Sequence, residues 1–374
     1  MAKIGAIITI DEAMQLALAE AKKGAGFTSP NPLVGAVVLD KNNKLLSVDY
    51  HKNYGGPHAE VNALNKLNDR QLEGAKIIVT LEPCAHEGKT PSCAKKLATL
   101  PISTVIYAVE DPNPLVAGKG LEILKESGKE VIHLSHYENE AIELAEIFFT
   151  NQKLKRPFVS LKVASSLDGY IGLQSGESQW ITGEKARNYG HFLRATHDAI
   201  CVGAQTFIVD NPKLNIRHND FPNKKNKVIV LDSEGNLSDK IKSSNLIKYH
   251  SLEDILIIHP EKIKNKPEQD LKLIPVKYSQ GFDVEDLLDK LFEKNIFFLL
   301  IEGGAKTYQL FLESKKFDRL FCFIAPSLIG QKNGLSWTKD LVTRSLSEKL
   351  SFDKLKAIPL DPDILLTMKT SDNH

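Results

Sequence analysis

Four residues in three separate segments constrain this chain more than any other feature: His58 and Glu60 in Gly56-Pro57-His58-Ala59-Glu60, then Cys84 after Pro83, then Cys93. One histidine and two cysteines form a ligand set for zinc, and they can serve one ion only if the chain returns to a single point three times. His58 and Glu60 stand two residues apart, a spacing that sends side chains to opposite sides of a helix interior. Both reach one site only from a helix's first turn, so a helix is predicted to begin at His58 and run to about Leu67. Gly55, Gly56 and Pro57 shape the turn leading into it. Cys84 is predicted to follow a strand over Lys76–Leu81, and Cys93 to open the next helix.

Catalytic zinc sites take three protein ligands and leave the fourth position to water. Two thiolates and a neutral imidazole balance the charge of Zn2+, and a water bound there is acidified toward neutral pH. The positive end of the helix favours the resulting negative charge. Glu60, not needed as a ligand, is then placed to take that water's proton and return it to a departing amine, as in the zinc deaminases. The alternatives are a closed structural zinc site and unrelated cysteines in a packed turn, neither of which has a use for the acid. Zinc deaminases commonly have two residues between their cysteines, whereas eight, Ala85 to Ser92, separate Cys84 from Cys93 here. This insert carries His86, Lys89 and Thr90, which are expected to contact a substrate phosphate, the alternative being a polar solvent loop.

A chain of 374 residues exceeds what one hydrophobic core usually holds, so two domains are expected. In the first, a helix is predicted over Asp11–Lys23, capped by Asp11 and stopped by Gly24. Strands at Leu33–Leu39, Ile77–Leu81, Thr104–Val109 and Glu130–Leu134 alternate with helices near Cys93–Leu100, Gly120–Ser127 and Glu138–Phe149, the pattern of a layered α/β domain. The basic segment Lys153-Leu154-Lys155-Arg156-Pro157 reads as a linker, dividing the chain into 1–152 and 153–374. Beyond it, strands are predicted at Phe158–Ala164, Ala199–Val202, Val228–Asp232, Ile255–Ile258, Ile296–Ile301, Leu320–Ile324 and Ile364–Lys369. Helices are predicted at Glu184–Ala195, Val284–Lys294 and Ala305–Glu313.

The formal net charge is only +1, so no global field favours nucleic acid or a membrane surface, and a small substrate recognised locally is expected. The lysine-rich stretches Asn223–Lys227 and Lys262–Lys266 are read as solvated loops. With four cysteines, two of them in the ligand set, the protein is expected in a reducing, cytoplasmic compartment; Cys201 and Cys322 lie in apolar runs and are expected to be buried. The apolar run Ile4–Ile10 is broken by Asp11, too short to span a membrane.

Thr28-Ser29-Pro30-Asn31-Pro32-Leu33-Val34-Gly35, Gly56-Pro57-His58-Ala59-Glu60, Thr80-Leu81-Glu82-Pro83-Cys84, Gly88-Lys89-Thr90-Pro91-Ser92-Cys93 and Asp111-Pro112-Asn113-Pro114 resemble the deaminase half of the bifunctional riboflavin-biosynthesis deaminase-reductases. The resemblance implies a cytidine-deaminase-like three-layer α/β/α domain that binds one Zn2+ through His58, Cys84 and Cys93, with Glu60 catalytic. The substrate it implies is a 2,5-diamino-6-ribosylamino-pyrimidinone 5′-phosphate, with Asn31 helping to hold the pyrimidine edge. Ser47-Val48-Asp49 stands where the family commonly shows glycine, and Lys89 where arginine is frequent, a point charge in place of a bidentate fork.

The rest of the chain is similar to the reductase half, through Leu161–Gly169, Ser175–Thr182, His197–Ile200, Asp210-Asn211-Pro212 and Glu302-Gly303-Gly304. That implies a dihydrofolate-reductase-like α/β domain using NADPH. Ala164, Trp180, Thr206, Asp210, Ser233 and Gly304 would line the cofactor, and Ser178, Arg194, Leu214, Arg217 and Glu302 would face the substrate. Read alone, Ile301–Ala305 is a strand-to-helix turn whose bare amides suit a pyrophosphate, without the G-x-G-x-x-G fingerprint. Arg194 and Arg217 suit phosphate clamps, the alternative for either alone being a surface ion pair, and Lys162 and Asp168 lie near the expected site, the alternative for each being a structural hydrogen bond or ion pair. A homo-oligomer, dimer or tetramer, is expected. Two competing readings are a nucleoside or RNA-base deaminase with a non-catalytic C-terminal assembly domain, and a zinc-and-nucleotide sensor; the near-neutral charge and the retained Glu60 disfavour them.

Overall fold

The structure is a computed structural model that describes residues 2–87, 91–113, 116–262 and 271–370. The chain divides into two compact units, Met1–Lys155 and Arg156–His374. No helix among the described residues is long and apolar enough to cross a membrane.

In the first unit, α1 (Ile10–Ala21) is capped by Thr9 in a reciprocal capping box with Glu12, not by Asp11 as predicted. A threonine followed three residues later by glutamate satisfies two end amides at once, whereas Asp11 lies inside the first turn. The helix ends at Ala21 and tightens into a 3-10 turn through Gly24. There follow β1 (Gly35–Leu39), β2 (Leu45–Tyr50), α2 (Ala59–Leu64), α3 (Asp69–Leu72), β3 (Lys76–Val79), α4 (Cys93–Thr99), β4 (Thr104–Tyr107), α5 (Lys119–Glu126) and β5 (Glu130–His133). The helix predicted over Glu138–Phe149 is two, α6 (Glu138–Leu144) and α7 (Glu146–Leu154), separated at Ala145.

The sheet runs β2-β1-β3-β4-β5, antiparallel across β2, β1 and β3 and parallel from β3 to β5. Every residue of β1 and β4 is buried, so both faces of the sheet centre are covered, the middle layer of three. Ser47 and Asp49 point inward from β2. Ser47 Oγ donates to Ala63 O at 2.8 Å, and Asp49 pairs with Lys66 at 2.9 Å and Lys52 at 3.3 Å.

The second unit begins with a residue that the sequence placed in a linker. Arg156 is buried, and its fork donates to both carboxylate oxygens of Asp318 at 2.8 and 2.7 Å, while Asp318 also accepts from Val159 N. This pair fastens the start of β6 (Phe158–Ser166) beside that of β13 (Arg319–Ala325), to which β6 lies parallel. Between them come β7 (Tyr170–Leu173), α8 (Glu184–Thr196), β8 (Ala199–Gly203), α9 (Ala204–Asp210), β9 (Lys227–Leu231), α10 (Ser238–Lys242), α11 (Leu246–Tyr249), β10 (Ile255–Pro260), β11 (Lys272–Val276), α12 (Val284–Glu293), β12 (Phe298–Ile301) and α13 (Ala305–Ser314). After β13 come β14 (Gly334–Ser336), β15 (Phe352–Leu360) and β16 (Asp363–Thr370).

The nine-stranded sheet runs β11-β10-β9-β8-β12-β6-β13-β16-β15, and its first seven strands are parallel. Its core strands bury Val159, Leu161, Cys201, Ile229, Leu299 and Ile301 on one face and Ile200, Val228, Val230 and Leu300 on the other. Cys201 and Cys322 are buried among them. The segment that follows Gly330 contributes β14, which pairs with β7. Asn226, within the first lysine-rich stretch, is buried, and Lys227 opens β9; of the second stretch only Lys262 is described.

Candidate active sites

His58 is the extended N-cap of α2, and the helix opens at Ala59 with Glu60 in its first turn. The start is one residue later than predicted, which frees the His58 ring to turn toward the cysteines. Cys84 leaves the turn after β3, and Cys93 is the first residue of α4. Ser92 ties the two cysteine segments: its hydroxyl donates to Cys84 O at 2.8 Å and accepts from Lys95 N at 3.2 Å. His58 Nδ1 lies 3.5 Å from Cys84 Sγ and 3.3 Å from Cys93 Sγ, and the three donor atoms fall within 4.8 Å of one another. No further His, Cys, Asp or Glu among the described residues joins the group.

The Cys93 contact draws the Cys84 thiol down to about 4 against the effect of burial, with His58 assisting. The same contact, with burial, holds the Cys93 thiol up. The Cys84 hydrogen bond raises the His58 imidazole. Glu60 is 4% exposed, and burial, then the Cys84 charge, pushes its carboxyl up to about 6. A nitrogen and two sulfurs converging at a half-buried point suit zinc, and the raised carboxyl beside them suits a group that accepts and returns a proton.

Behind this set lies a residue that the sequence did not single out. His51 Nδ1 faces Pro57 O at 3.1 Å, and its Nε2 faces Asn31 Nδ2 at 3.1 Å. A carbonyl only accepts, so the proton sits on Nδ1 and Nε2 accepts from the Asn31 amide. That fixes the amide's orientation and leaves Asn31 Oδ1 as an acceptor. Burial lowers the His51 pKa and keeps the ring neutral. No local pattern marks His51, because it follows a strand, β2, that the sequence did not reveal.

Glu82, from the Thr80–Cys84 segment, is buried and accepts from Asp111 N, Gly118 N and Gly120 N, each at 3.1 Å. A Cβ on Gly120 would fall 2.0 Å from Pro83 O, so the start of α5 packs directly on the cysteine turn. Of the insert residues expected to meet a phosphate, His86 is exposed, while Lys89 and Thr90 lie outside the described residues.

In the second unit a cleft of about 2090 Å³ opens at the carboxyl ends of the parallel strands. Ala164, Trp180, Thr206, Asp210, Ser233 and Gly304 all line it, as do Ser178, Arg194, Leu214, Arg217 and Glu302. Its volume exceeds the roughly 300–1,000 Å³ of ordinary ligand pockets, enough for a dinucleotide and a second molecule together. The winding reverses between β8 and β12, where open α/β sheets bind dinucleotides. A Cβ on Gly303 would meet Thr307 Cβ at 2.4 Å, and one on Gly304 would meet Thr206 Oγ1 at 3.2 Å. Backbone alone fits there, with the amides at the start of α13 left bare, which suits a pyrophosphate.

Glu302 is the electrostatic centre of the cleft. Arg194 donates to it twice, Nε to Oε1 at 2.7 Å and Nη2 to Oε2 at 2.9 Å, and Lys162 Nζ stands 3.9 Å from Oε2. Burial would raise this carboxyl, but Arg194 and Lys162 outweigh it and hold it down to about 2. The fork that sequence reasoning assigned to a phosphate is thus engaged by Glu302, and Arg194 Nη1 donates to Asn215 O at 3.3 Å. Burial lowers the Lys162 pKa. Asp168 stands apart from the cleft lining, accepting from Ser166 Oγ, Ile329 N and Gly330 N, which makes it a loop fastener. Trp180 is 69% exposed, with the Arg187 guanidinium 4.8 Å from its ring centre.

Residues 8–109 match the cytidine and deoxycytidylate deaminase zinc-binding region, and residues 157–366 match the RibD C-terminal domain. The chain is 40% identical over 357 residues to the riboflavin biosynthesis protein RibD of Aquifex aeolicus, covering 95% of this chain and 97% of that one. It is 31% identical over 365 residues to RibD of Escherichia coli, with 94% and 97% covered. Among solved structures, Acinetobacter baumannii RibD superposes with a TM-score of 0.84 at 35% identity over 97% of this chain and 99% of that one. A diaminohydroxyphosphoribosylaminopyrimidine deaminase/5-amino-6-(5-phosphoribosylamino)uracil reductase from Thermotoga maritima gives 0.83 at 34% identity, with 96% and 98% covered.

Proposed function

The chain belongs to the RibD family of riboflavin-biosynthesis enzymes, and from that premise we propose which of its residues perform each of its two reactions. It is a bifunctional enzyme, with a cytidine-deaminase-like unit that deaminates and a dihydrofolate-reductase-like unit that reduces. The first reaction hydrolyses 2,5-diamino-6-(5-phosphoribosylamino)pyrimidin-4(3H)-one to 5-amino-6-(5-phosphoribosylamino)uracil and ammonia. The second reduces the ribosyl group to give 5-amino-6-(5-phosphoribitylamino)uracil. Its cofactors are Zn2+ and NADPH.

His58, Cys84 and Cys93 would hold the zinc. When bound, the metal acts as the Lewis acid that makes water nucleophilic near neutral pH. Glu60 takes the proton that the attacking water sheds and returns it to the amino nitrogen as the carbon–nitrogen bond breaks. Its burial keeps bulk water from competing for that proton. Asn31, its amide anchored on His51, presents Oδ1 to the pyrimidine edge.

The Gly303-Gly304 turn, Thr206 and Ser233 would seat the dinucleotide, with Ala164, Trp180 and Asp210 along its length. When bound, NADPH supplies the hydride for the ribose C1′ carbon. Lys162, drawn into the cleft beside Glu302, is the group best placed to donate a proton to the sugar oxygen as the ring opens. Arg194 and Glu302 act as one rigid unit, and with Ser178, Leu214 and Arg217 they orient the substrate.

A cytoplasmic location is supported by four free cysteines, and a homo-oligomer by the exposed apolar side chains Val342, Leu346 and Leu355 in and before β15. The observation that carries the assignment of residues is the His58, Cys84 and Cys93 convergence with Glu60 beside it but outside it. Replacing Cys93 with serine tests it: the variant should lose zinc and ammonia release and keep reduction of the deaminated compound. Full ammonia release without zinc would overturn it.

A further inference from the structure

We propose that His191 is a positioning residue that holds the Arg217 guanidinium in place to receive the phosphate of the reductase substrate. This rests on the reading of Arg217 as a substrate-facing group and deepens it. Arg217 is exposed, in the loop that follows Leu214. A free arginine there would sample many rotamers, and ordering it on substrate binding would cost affinity. His191, on α8, removes that freedom before the substrate arrives. Its Nε2 lies 3.3 Å from Arg217 Nε and 3.1 Å from Nη2, and its Nδ1 lies 3.3 Å from the Arg217 backbone N. A neutral imidazole has one acceptor nitrogen: with the Nδ1 proton turned toward the Asn215 backbone, Nε2 accepts from the Arg217 side chain, and the approach of Nδ1 to the Arg217 backbone is packing and not a second hydrogen bond.

The geometry also selects the edge presented. Guanidinium carries five N–H donors, and the Nε side is the one turned to the imidazole. The opposite edge, shared by Nη1 and Nη2, remains for two parallel bonds to phosphate oxygens. The imidazole can do this only while neutral, with a lone pair on Nε2. Burial, then the Arg194 and Arg217 charges, hold it down to about 4. The charges here are Lys162, Arg194 and Arg217 against Glu302, and Glu302 is already engaged by Arg194, so the local excess is positive and unspent on Arg217. A phosphate dianion is the ligand chemistry that such an excess takes.

The test measures steady-state reduction of 5-amino-6-(5-phosphoribosylamino)uracil by the full-length enzyme, with competitive inhibition by inorganic phosphate as a second reading. Variants are His191→Ala, His191→Gln, Arg217→Ala and the His191→Ala/Arg217→Ala pair. His191→Ala should raise KM and the phosphate inhibition constant by roughly tenfold with kcat within about twofold. His191→Gln, whose amide oxygen accepts from the same N–H groups, should recover most of that loss. In the Arg217→Ala background the histidine change should add nothing. A raised KM in Arg217→Ala with a normal one in His191→Ala overturns the proposal alone, as do fully additive effects in the double variant. A normal KM and phosphate constant in Arg217→Ala overturn the phosphate reading of Arg217, and the proposal with it.

Discussion

Arg194 and Glu302 meet as a two-bond pair, 2.7 and 2.9 Å, between residues 108 positions apart in the chain. The pair joins α8 to the end of β12 at the floor of the reductase cleft, with Lys162 of β6 as a third member. Three elements are thereby fixed relative to one another at the place where the substrate would sit.

Acid should undo this arrangement. The Glu302 carboxyl is held down to about 2 in the folded protein, against an unfolded value of 4.5, so its contribution is fully present above about 4.5 and is lost as pH falls toward 2. Thermal unfolding of the reductase unit between pH 7 and pH 3 should show a progressive loss that Glu302→Gln, already destabilised at pH 7, shows less steeply. Equal slopes for both proteins would contradict this role.

The Arg156–Asp318 pair predicts where the second unit can be cut. A fragment of residues 156–374 should fold and bind NADPH, whereas one starting at Phe158 leaves the Asp318 carboxylate buried without its guanidinium. The shorter fragment, and Asp318→Ala in the full chain, should each lose about 3–5 kcal/mol in denaturant unfolding. Equal stability of the two fragments would mean that Arg156 belongs to the linker after all.

At the turn before α13, Gly303→Ala places a methyl group 2.4 Å from Thr307 Cβ, a clash that side-chain rotation cannot relieve. Dinucleotide affinity, read by quenching of protein fluorescence, should fall at least tenfold, with about 1–3 kcal/mol of stability lost. Gly304→Ala, which needs Thr206 Oγ1 to give by only a few tenths of an ångström, should be milder in stability. A wild-type NADPH titration for Gly303→Ala would place the cofactor elsewhere.

For the deaminase, His51→Leu removes the acceptor that orients the Asn31 amide. Zinc content should stay at one per chain while kcat/KM for ammonia release falls roughly tenfold. Loss of zinc in this variant would show that His51 supports the ligands and not Asn31.

Much of this was legible in the residues because its cues are local. The ligand spacing, the turn into α2 and the alternation of apolar runs with helix periods each read within a few positions. β2 was missed because its inner face carries Ser47 and Asp49, polar groups satisfied by Ala63 and by two lysines, so its alternation appears inverted. β11 was missed because it is an edge strand holding Pro275, and β15 because it is exposed along most of its length. The Arg194–Glu302 and Arg156–Asp318 pairs left no local trace, since each partner is ordinary in its own segment and only the fold unites them.

Two chemistries on one chain should be separable at a single residue, and Glu60→Gln separates them when zinc, ammonia and NADPH consumption are followed on one preparation. The amide keeps the shape of the site and cannot carry the proton, so zinc should remain at one per chain and ammonia release should fall by at least a hundredfold. NADPH oxidation on 5-amino-6-(5-phosphoribosylamino)uracil should match the unaltered enzyme. Ammonia release at the normal rate, or reduction lost together with deamination, would contradict it.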